Sequence, residues 1–261
     1  MDSRRRDGGL DERASQAVLD FDGDDGWTSE TSSGLALAGF LWGVFVALTI
    51  LAIGPLARFD AAFNLAPPPP AWLPVLHVVD RMGQRAVCLP ILGMVIYYVY
   101  RRCGAWLRPA VLCLASVFVL NFVVGVLKLA LGRESPHTGD PAFFVGGLAY
   151  PSGHTSNVIL VYGIAAYLLM HYGRVGRRAR IALCSGVTFL GVLMTFTSLL
   201  EHWHWFTDLL AGLLVGGAVL QMTATIDKVV PAIDLRMGWR QAVRDVVAAL
   251  DPRSRGPAGR V

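Results

Sequence analysis

Six apolar runs of about membrane-spanning length constrain the fold of this chain more than any other feature. They lie at about residues 34–56, 85–100, 107–131, 152–172, 181–201 and 205–224. A transmembrane helix needs about 20 mostly apolar residues, and lipid offers no water to an unpaired backbone. Charged residues make up only 16% of the chain, which is too few to cover a soluble surface. The sequence therefore predicts an all-α, polytopic membrane protein with six transmembrane helices.

Arginines occupy alternate connections between these runs. They stand at Arg4 to Arg6, at Arg101 and Arg102, at residues 174–180 and in the C-terminal tail. With six spans all of these positions fall on one side of the membrane, which the positive-inside rule assigns to the cytoplasm. Because the cations follow topology in this way, they do not indicate a nucleic-acid partner, despite the net charge of +4.

This topology divides the chain into three parts. We expect residues 1–33 to form a disordered cytoplasmic tail, residues 34–224 the membrane domain, and residues 225–261 a basic cytoplasmic tail. The loops at 57–83, 132–151 and 201–204 then face outward, the first as an exposed loop with a short interfacial helix. A short chain with Arg-rich loops predicts a bacterial plasma-membrane protein. The oligomeric state cannot be read from the sequence.

Three groups of polar residues lie on the predicted outer side, where ionisable groups near a membrane are usually functional. Ser152 can cap a helix, and Gly153 lets the backbone come close to an anion, so this helix start is a candidate phosphate site. Lys128 and Arg133 can supply cationic donors to phosphate oxygens.

The third group supplies acid–base chemistry. His204 and Asp208 are four residues apart, so on a helix they share one face. An aspartate that holds one imidazole nitrogen leaves the other free as a nucleophile, and His154 is then available as a general acid. The four cysteines have no metal-ligand spacing, and this division of roles needs neither a metal nor another cofactor.

The order and spacing of these residues resemble the type 2 phosphatidic acid phosphatase (PAP2) superfamily, in its membrane branch. That signature reads Lys-x6-Arg-Pro, Pro-Ser-Gly-His and Ser-Arg-x5-His-x3-Asp. The chain matches it at Lys128 with Ser135-Pro136, at Pro151 to His154, and at Thr197-Ser198 followed by His204 and Asp208.

The resemblance implies a six-helix PAP2-like bundle that acts on a lipid phosphate among membrane lipids. His204 would form a phosphohistidine, Asp208 would orient it, and His154 would protonate the leaving group. Lys128 and the amides of Ser152 and Gly153 would hold the phosphate.

Two family arginines are absent, because Ser135 and Ser198 stand in their places. Loss of one charge-assisted donor costs roughly 2–4 kcal/mol of transition-state stabilisation. Arg133, two residues before the first position, is our candidate substitute, and His202 or His137 is an auxiliary candidate for the second.

The same departure supports two other interpretations. The stretch from His202 to Asp208 also resembles the His-x-His-Tyr-Thr-x-Asp block of sphingomyelin-synthase-type transferases, with Thr207 displaced by one position. Such relatives move a phospho-headgroup between lipids. A lipid phosphotransferase and a catalytically weak relative therefore remain alternatives to the phosphatase. Among the neighbouring residues, Arg85 is interpreted as an interface anchor, and Trp203 and Trp205 as membrane-belt aromatics.

Overall fold

The computed structural model describes residues 25–104 and 107–229. Residues 1–24 of the predicted N-terminal tail and residues 230–261 of the predicted C-terminal tail lie outside the described residues. Within the described residues the secondary structure is helical, without strands. The α-helices are α1 (Asp25–Ile53), α2 (Leu56–Ala62), α3 (Leu73–Met82), α4 (Arg85–Cys103), α5 (Leu107–Leu131), α6 (Gly153–Asn157), α7 (Gly163–His171), α8 (Arg177–Leu200) and α9 (Phe206–Val229).

Six stretches are long and apolar enough to cross a membrane, as the sequence predicts. Helices α1, α4, α5, α8 and α9 supply five of them. The remaining span is composite, because a π-helical turn at Val158–Tyr162 joins α6 to α7. The structure thus confirms the all-α, six-span architecture.

Two boundaries differ from the prediction. Helix α1 begins at Asp25, inside the segment predicted as tail, and α9 continues to Val229, beyond the predicted end at residue 224. A boundary drawn from hydropathy alone misses such polar helical turns.

The composite span and α9 form the centre of the bundle. In their most apolar stretches 61% and 50% of the residues are buried, against 17–28% in the other four spans. Glycines in α9 allow the close contact between the two. A Cβ atom on Gly212 would lie 2.6 Å from the carbonyl oxygen of Ser152, and one on Gly216 would lie 2.7 Å from that of Ser156. The start of α6 is therefore fixed against α9.

The segment between α1 and α4 is more ordered than predicted. Instead of one exposed loop with a single short helix, it contains α2, a 3₁₀ turn at Pro70–Trp72, and α3. Asp60 in α2 is buried. Helix α3 is amphipathic, since Val75 and Val78 are exposed whereas Leu76 is buried.

Candidate active site

A cavity of about 870 Å³ opens where α5 and α8 end and where α6 and α9 begin. It is the meeting point of all three sequence groups that carry the predicted chemistry. Its lining includes six ionisable side chains, which are Asp80, Arg85, Lys128, Glu134, His154 and His204. Gly153, Ser135, Asn157 and Trp203 complete much of the polar and aromatic wall.

His204 and Asp208 come together as predicted, but not on one helical face, because His204 lies in the turn before α9 begins at Phe206. Asp208 lies in the first turn of α9, where its Oδ2 accepts a hydrogen bond of 2.9 Å from the Trp205 backbone N–H. The same Oδ2 lies 3.7 Å from His204 Nδ1, which has no closer polar partner among the described residues. The imidazole lines the cavity. This arrangement leaves Nε2 of His204 as the nitrogen available to a substrate.

His154 enters the cavity from the start of α6. Ser152 is the N-cap of this helix, and its side chain accepts a hydrogen bond from the Thr155 N–H at 3.4 Å. On the cavity side, His154 Nε2 lies 3.7 Å from Asp80 Oδ2. Asp80 follows from no sequence motif, because it lies on α3, far from the signature residues in the chain.

The turn from α3 to α4 packs directly on His154. A Cβ atom on Gly83 would lie 2.9 Å from His154 Cβ. The side-chain amide of Asn157 donates a hydrogen bond of 3.3 Å to the carbonyl oxygen of Gly83. The turn therefore holds the imidazole of His154 from one side, and Asp80 faces it from the same segment.

Two cationic side chains line the cavity. Lys128, near the end of α5, donates a hydrogen bond to the carbonyl oxygen of Leu148. Arg85, the first residue of α4, is exposed and also lines the cavity. Its interpretation as an interface anchor was incomplete, because this position gives it access to a bound anion.

Arg133 is not where the sequence suggests. Its side chain is fully buried, outside the cavity lining, and forms ion pairs with Asp60 and Asp208. The guanidinium also lies 4.5 Å from the centroid of the Phe143 ring, in cation–π contact. Arg133 is therefore not available as the phosphate-binding substitute for the missing family arginine, since its donors are directed to two carboxylates.

The two serines at the arginine positions differ in placement. Ser135 lines the cavity, and its backbone N–H donates a hydrogen bond of 3.0 Å to Glu134 Oε1. Ser198 is buried in α8 and its hydroxyl lies 3.8 Å from Met194 Sδ. Only the first of the two therefore faces the space that a substrate would occupy.

Of the two auxiliary histidines and the two tryptophans, only Trp203 lines the cavity. His202 Nε2 lies 2.8 Å from the carbonyl oxygen of Leu65, and neither His202 nor His137 belongs to the cavity lining. Trp203 is exposed and lines the cavity. Trp205 is buried, and its indole N–H donates a hydrogen bond of 2.9 Å to the carbonyl oxygen of Glu134. Membrane-belt placement is thus wrong for Trp205, which joins the α9 start to the loop before α6.

Two ionisable groups beside the cavity have shifted proton affinities. Burial raises the pKa of Glu201, and the nearby charge of Asp80 adds to the effect, whereas His77 opposes it. Burial also raises the pKa of Tyr150 to about 12. The Tyr150 hydroxyl shares a hydrogen bond of 2.6 Å with Thr49, which ties the loop before α6 to α1.

The fold and the cavity define a class, namely a helical integral membrane protein in which two histidines meet at one end of a six-span bundle. The model of the PAP2 superfamily matches residues 109–229, which contain Lys128, His154, His204 and Asp208. This match confirms the resemblance seen in the sequence.

The chain is also homologous to lipid phosphate phosphatases. It is 26% identical over 158 residues to "Probable lipid phosphate phosphatase 4" of Arabidopsis thaliana, a match covering 50% of this chain and 51% of that protein. Lipid phosphate phosphatase 1 of the same plant is 26% identical over 161 residues, with 51% and 49% covered. The chain therefore spans about half the length of these two relatives.

A solved structure supports the fold independently. The crystal structure of a transmembrane PAP2-type phosphatidylglycerolphosphate phosphatase from Bacillus subtilis matches with a TM-score of 0.66 and 19% sequence identity. The match covers 75% of this chain and 98% of that one. The two proteins share the helical membrane fold.

Proposed function

We propose that this protein is a membrane lipid-phosphate phosphatase that forms a phosphohistidine at His204. The observation that carries the proposal is the convergence of His154, at the start of one span, and His204, in the turn before another, on one cavity with Lys128. Asp208 lies buried behind His204, in position to stabilise the imidazolium that nucleophilic attack creates. The names of the Arabidopsis relatives are consistent with this activity.

Two steps complete the reaction. His204 Nε2 attacks the phosphorus atom of the lipid phosphate, the bond from phosphorus to the lipid oxygen breaks, and His154 gives its proton to that oxygen. Water then attacks the phosphohistidine and gives a proton to His154, the N–P bond breaks, and inorganic phosphate leaves. Both histidines return to their starting protonation states.

The phosphate has cationic and backbone donors within the cavity. Lys128 and Arg85 supply charge. Gly153 begins α6, and a Cβ atom there would meet no atom within 4 Å. The space beside its amide is therefore open to a bound anion, at a helix start that favours negative charge. The buried side chain of Ser152 does not contact the phosphate. Its contribution is to cap the helix start that presents the Gly153 amide.

The orientation follows from the arginines at the opposite end of the bundle. Arg101, Arg102 and the cluster at residues 174–180 lie at the ends of the spans remote from the cavity. By the positive-inside rule these ends are cytoplasmic, so the cavity faces outward and both termini are cytoplasmic.

The test is phosphate release by purified protein in mixed micelles containing phosphatidic acid or a polyprenyl phosphate. We expect His204→Ala to abolish release, because the nucleophile is lost. His171→Ala is the matched control, since His171 lies at the end of α7 and outside the cavity lining. Undiminished release in His204→Ala would overturn the phosphohistidine mechanism.

One observation favours phosphotransfer to a lipid acceptor as the second candidate. Ser135 faces the cavity without a guanidinium, Arg133 is buried, and acidic Asp80 and Glu134 share the lining. A phosphodiester carries less negative charge than a phosphomonoester and needs fewer cations. In this reaction a lipid hydroxyl replaces water in the second step.

The product formed in the presence of an acceptor lipid separates these two candidates. For a phosphatase, the wild type releases free phosphate, and Ser135→Arg should raise this release from monoesters about tenfold or more, because it adds a guanidinium to the cavity wall. For a transferase, labelled headgroup appears on an added acceptor lipid without phosphate release, and wild-type protein shows that product. Acceptor-dependent product with no free phosphate would overturn the phosphatase proposal.

A further inference from the structure

Asp60, Arg133, Thr207 and Asp208 form a fully buried polar cluster behind the cavity. Asp60 Oδ1 accepts a hydrogen bond of 3.1 Å from the Thr207 N–H, and Oδ2 accepts 2.5 Å bonds from the Thr207 hydroxyl and from Arg133. Arg133 also donates to Asp208 and, at 2.7 Å, to the Thr207 hydroxyl. All four side chains are at most 1% exposed.

The cluster has an uneven number of charges. Two carboxylates share one guanidinium, which leaves a formal net charge of −1 in a fully buried site. Arg133 alone would neutralise Asp208, and a neutralised carboxylate would attract an imidazolium only weakly. With Asp60 present, the guanidinium is shared, and Asp208 keeps an attraction for the histidine 3.7 Å from its Oδ2.

We propose that Asp60 is a positioning residue of the phosphoryl-transfer site, which balances the charge of Arg133 so that Asp208 remains able to stabilise a cationic His204. The inference rests on the proposed function of His204. It gives Arg133 a role that its burial allows, in place of the phosphate contact that its burial excludes.

Asp60 also aligns the start of α9. It lies in α2, before the region that the PAP2 model matches, and it accepts from the backbone N–H of Thr207 in the first turn of α9. That N–H belongs to the group that a helix start leaves without an internal partner. One carboxylate therefore fixes both the charge and the direction of the turn that bears Asp208.

The two effects are separable by substitution. Asp60→Asn keeps the shape and changes the cluster charge from −1 to 0, whereas Arg133→Gln changes it to −2. Asp60→Asn with Arg133→Gln restores −1. Thr207→Val removes two hydrogen bonds of the same cluster without changing its charge, and is the matched structural control.

The primary readout is the pH titration of the His204 imidazole. Nitrogen NMR of histidine-labelled protein in micelles monitors this titration, and the His204→Ala variant identifies the His204 signal. The other ionisable side chains around it, Asp80, Arg85, Lys128, Glu134 and His154, are the same in every variant. We expect Asp60→Asn to move the titration to lower pH and Arg133→Gln to move it to higher pH, each by roughly half a unit or more. The double variant should return it to the wild-type position.

Activity provides the second readout. If the wild type releases phosphate, Asp60→Asn should lower kcat about tenfold with little change in KM, because Asp60 does not touch the substrate. If the wild type releases none, the proposed function fails, and the NMR titration still decides the role of Asp60. A shift of the His204 titration in the expected direction, in each single variant that folds, supports the proposal. An unmoved titration, or an equal shift in Thr207→Val, would overturn it.

Discussion

Asp80 Oδ2 lies 3.7 Å from His154 Nε2, the same separation that joins Asp208 Oδ2 to His204 Nδ1. Each histidine of the cavity thus has its own carboxylate. The pairs differ in setting, because Asp208 is buried whereas the side chain of Asp80 retains 17% exposure. This difference fits the proposed roles, because Asp208 is shielded from water behind the proposed nucleophile, whereas Asp80 lies beside a histidine that must exchange protons with solvent.

Asp80→Asn should slow hydrolysis of an alkyl lipid phosphate about tenfold, because the imidazolium of His154 loses its stabilising charge. Nitrophenyl phosphate has a leaving group that needs no proton, so its initial burst should be much less affected. Comparing both substrates in rapid-mixing assays checks this expectation. Asp140→Asn, at an exposed loop position, is the control. Equal losses with both substrates would contradict a role in leaving-group protonation.

Gly83→Ala should displace His154, because the new Cβ atom would lie 2.9 Å from His154 Cβ and 3.0 Å from Met194 Cε. Overpacking of this kind costs about 1–3 kcal/mol, so both the melting temperature and the phosphate release should fall. Gly93→Ala in α4 is the matched control, since a Cβ atom there meets nothing within 4 Å. A wild-type melting temperature and activity in Gly83→Ala would show that the turn can shift freely.

Gly153→Ala should fold normally and bind substrate poorly. The protein itself leaves room for the methyl group, and alanine favours a helix by roughly 0.5–1 kcal/mol over glycine. A phosphate held against the amide would meet that methyl group, so KM should rise about tenfold or more. Melting curves together with initial rates at varied substrate concentration measure both effects. An unchanged KM would place the phosphate away from the start of α6.

Glu201→Gln should stabilise the protein above neutral pH. Burial raises the pKa of Glu201 in the folded state, so folding favours the protonated form. The stability associated with this group is fully present below the unfolded pKa and is lost as pH rises through the raised folded pKa. The variant should therefore melt at a higher temperature than wild type at about pH 8, and the difference should vanish near about pH 4. A constant difference across this range would exclude titration of Glu201 as its cause.

The membrane architecture and the centre of the site were predictable from the sequence, because both depend on local patterns. Apolar runs determine the spans, and His204 and Asp208 are only four residues apart, so a short segment brings them together at the start of α9. Ser152 is also a recognisable N-cap, since its position before Gly153 precedes an apolar run. These signals do not require knowledge of distant contacts.

The rest of the site depends on tertiary contacts that no local pattern reports. Asp60 and Asp80 belong to a stretch with four consecutive prolines that looks like a loop. Arginine is a residue type that commonly binds phosphate, and only the fold shows that two carboxylates pair with Arg133. The buried position of Trp205 differs from the predicted interfacial one for the same reason, because its partner, the carbonyl oxygen of Glu134, is 71 residues away in the sequence.

Helix α3 carries Asp80 towards His154 and exposes the apolar side chains of Val75 and Val78 on another face, next to an exposed Trp72. Its apolar face will settle at a depth set by the surrounding lipid. We therefore expect a bilayer that is thinner or thicker than the native one to shift Asp80 relative to His154, the proposed general acid. The turnover rate should then depend on the acyl-chain length of the bilayer lipids even for a soluble substrate, because bilayer thickness sets the position of Asp80.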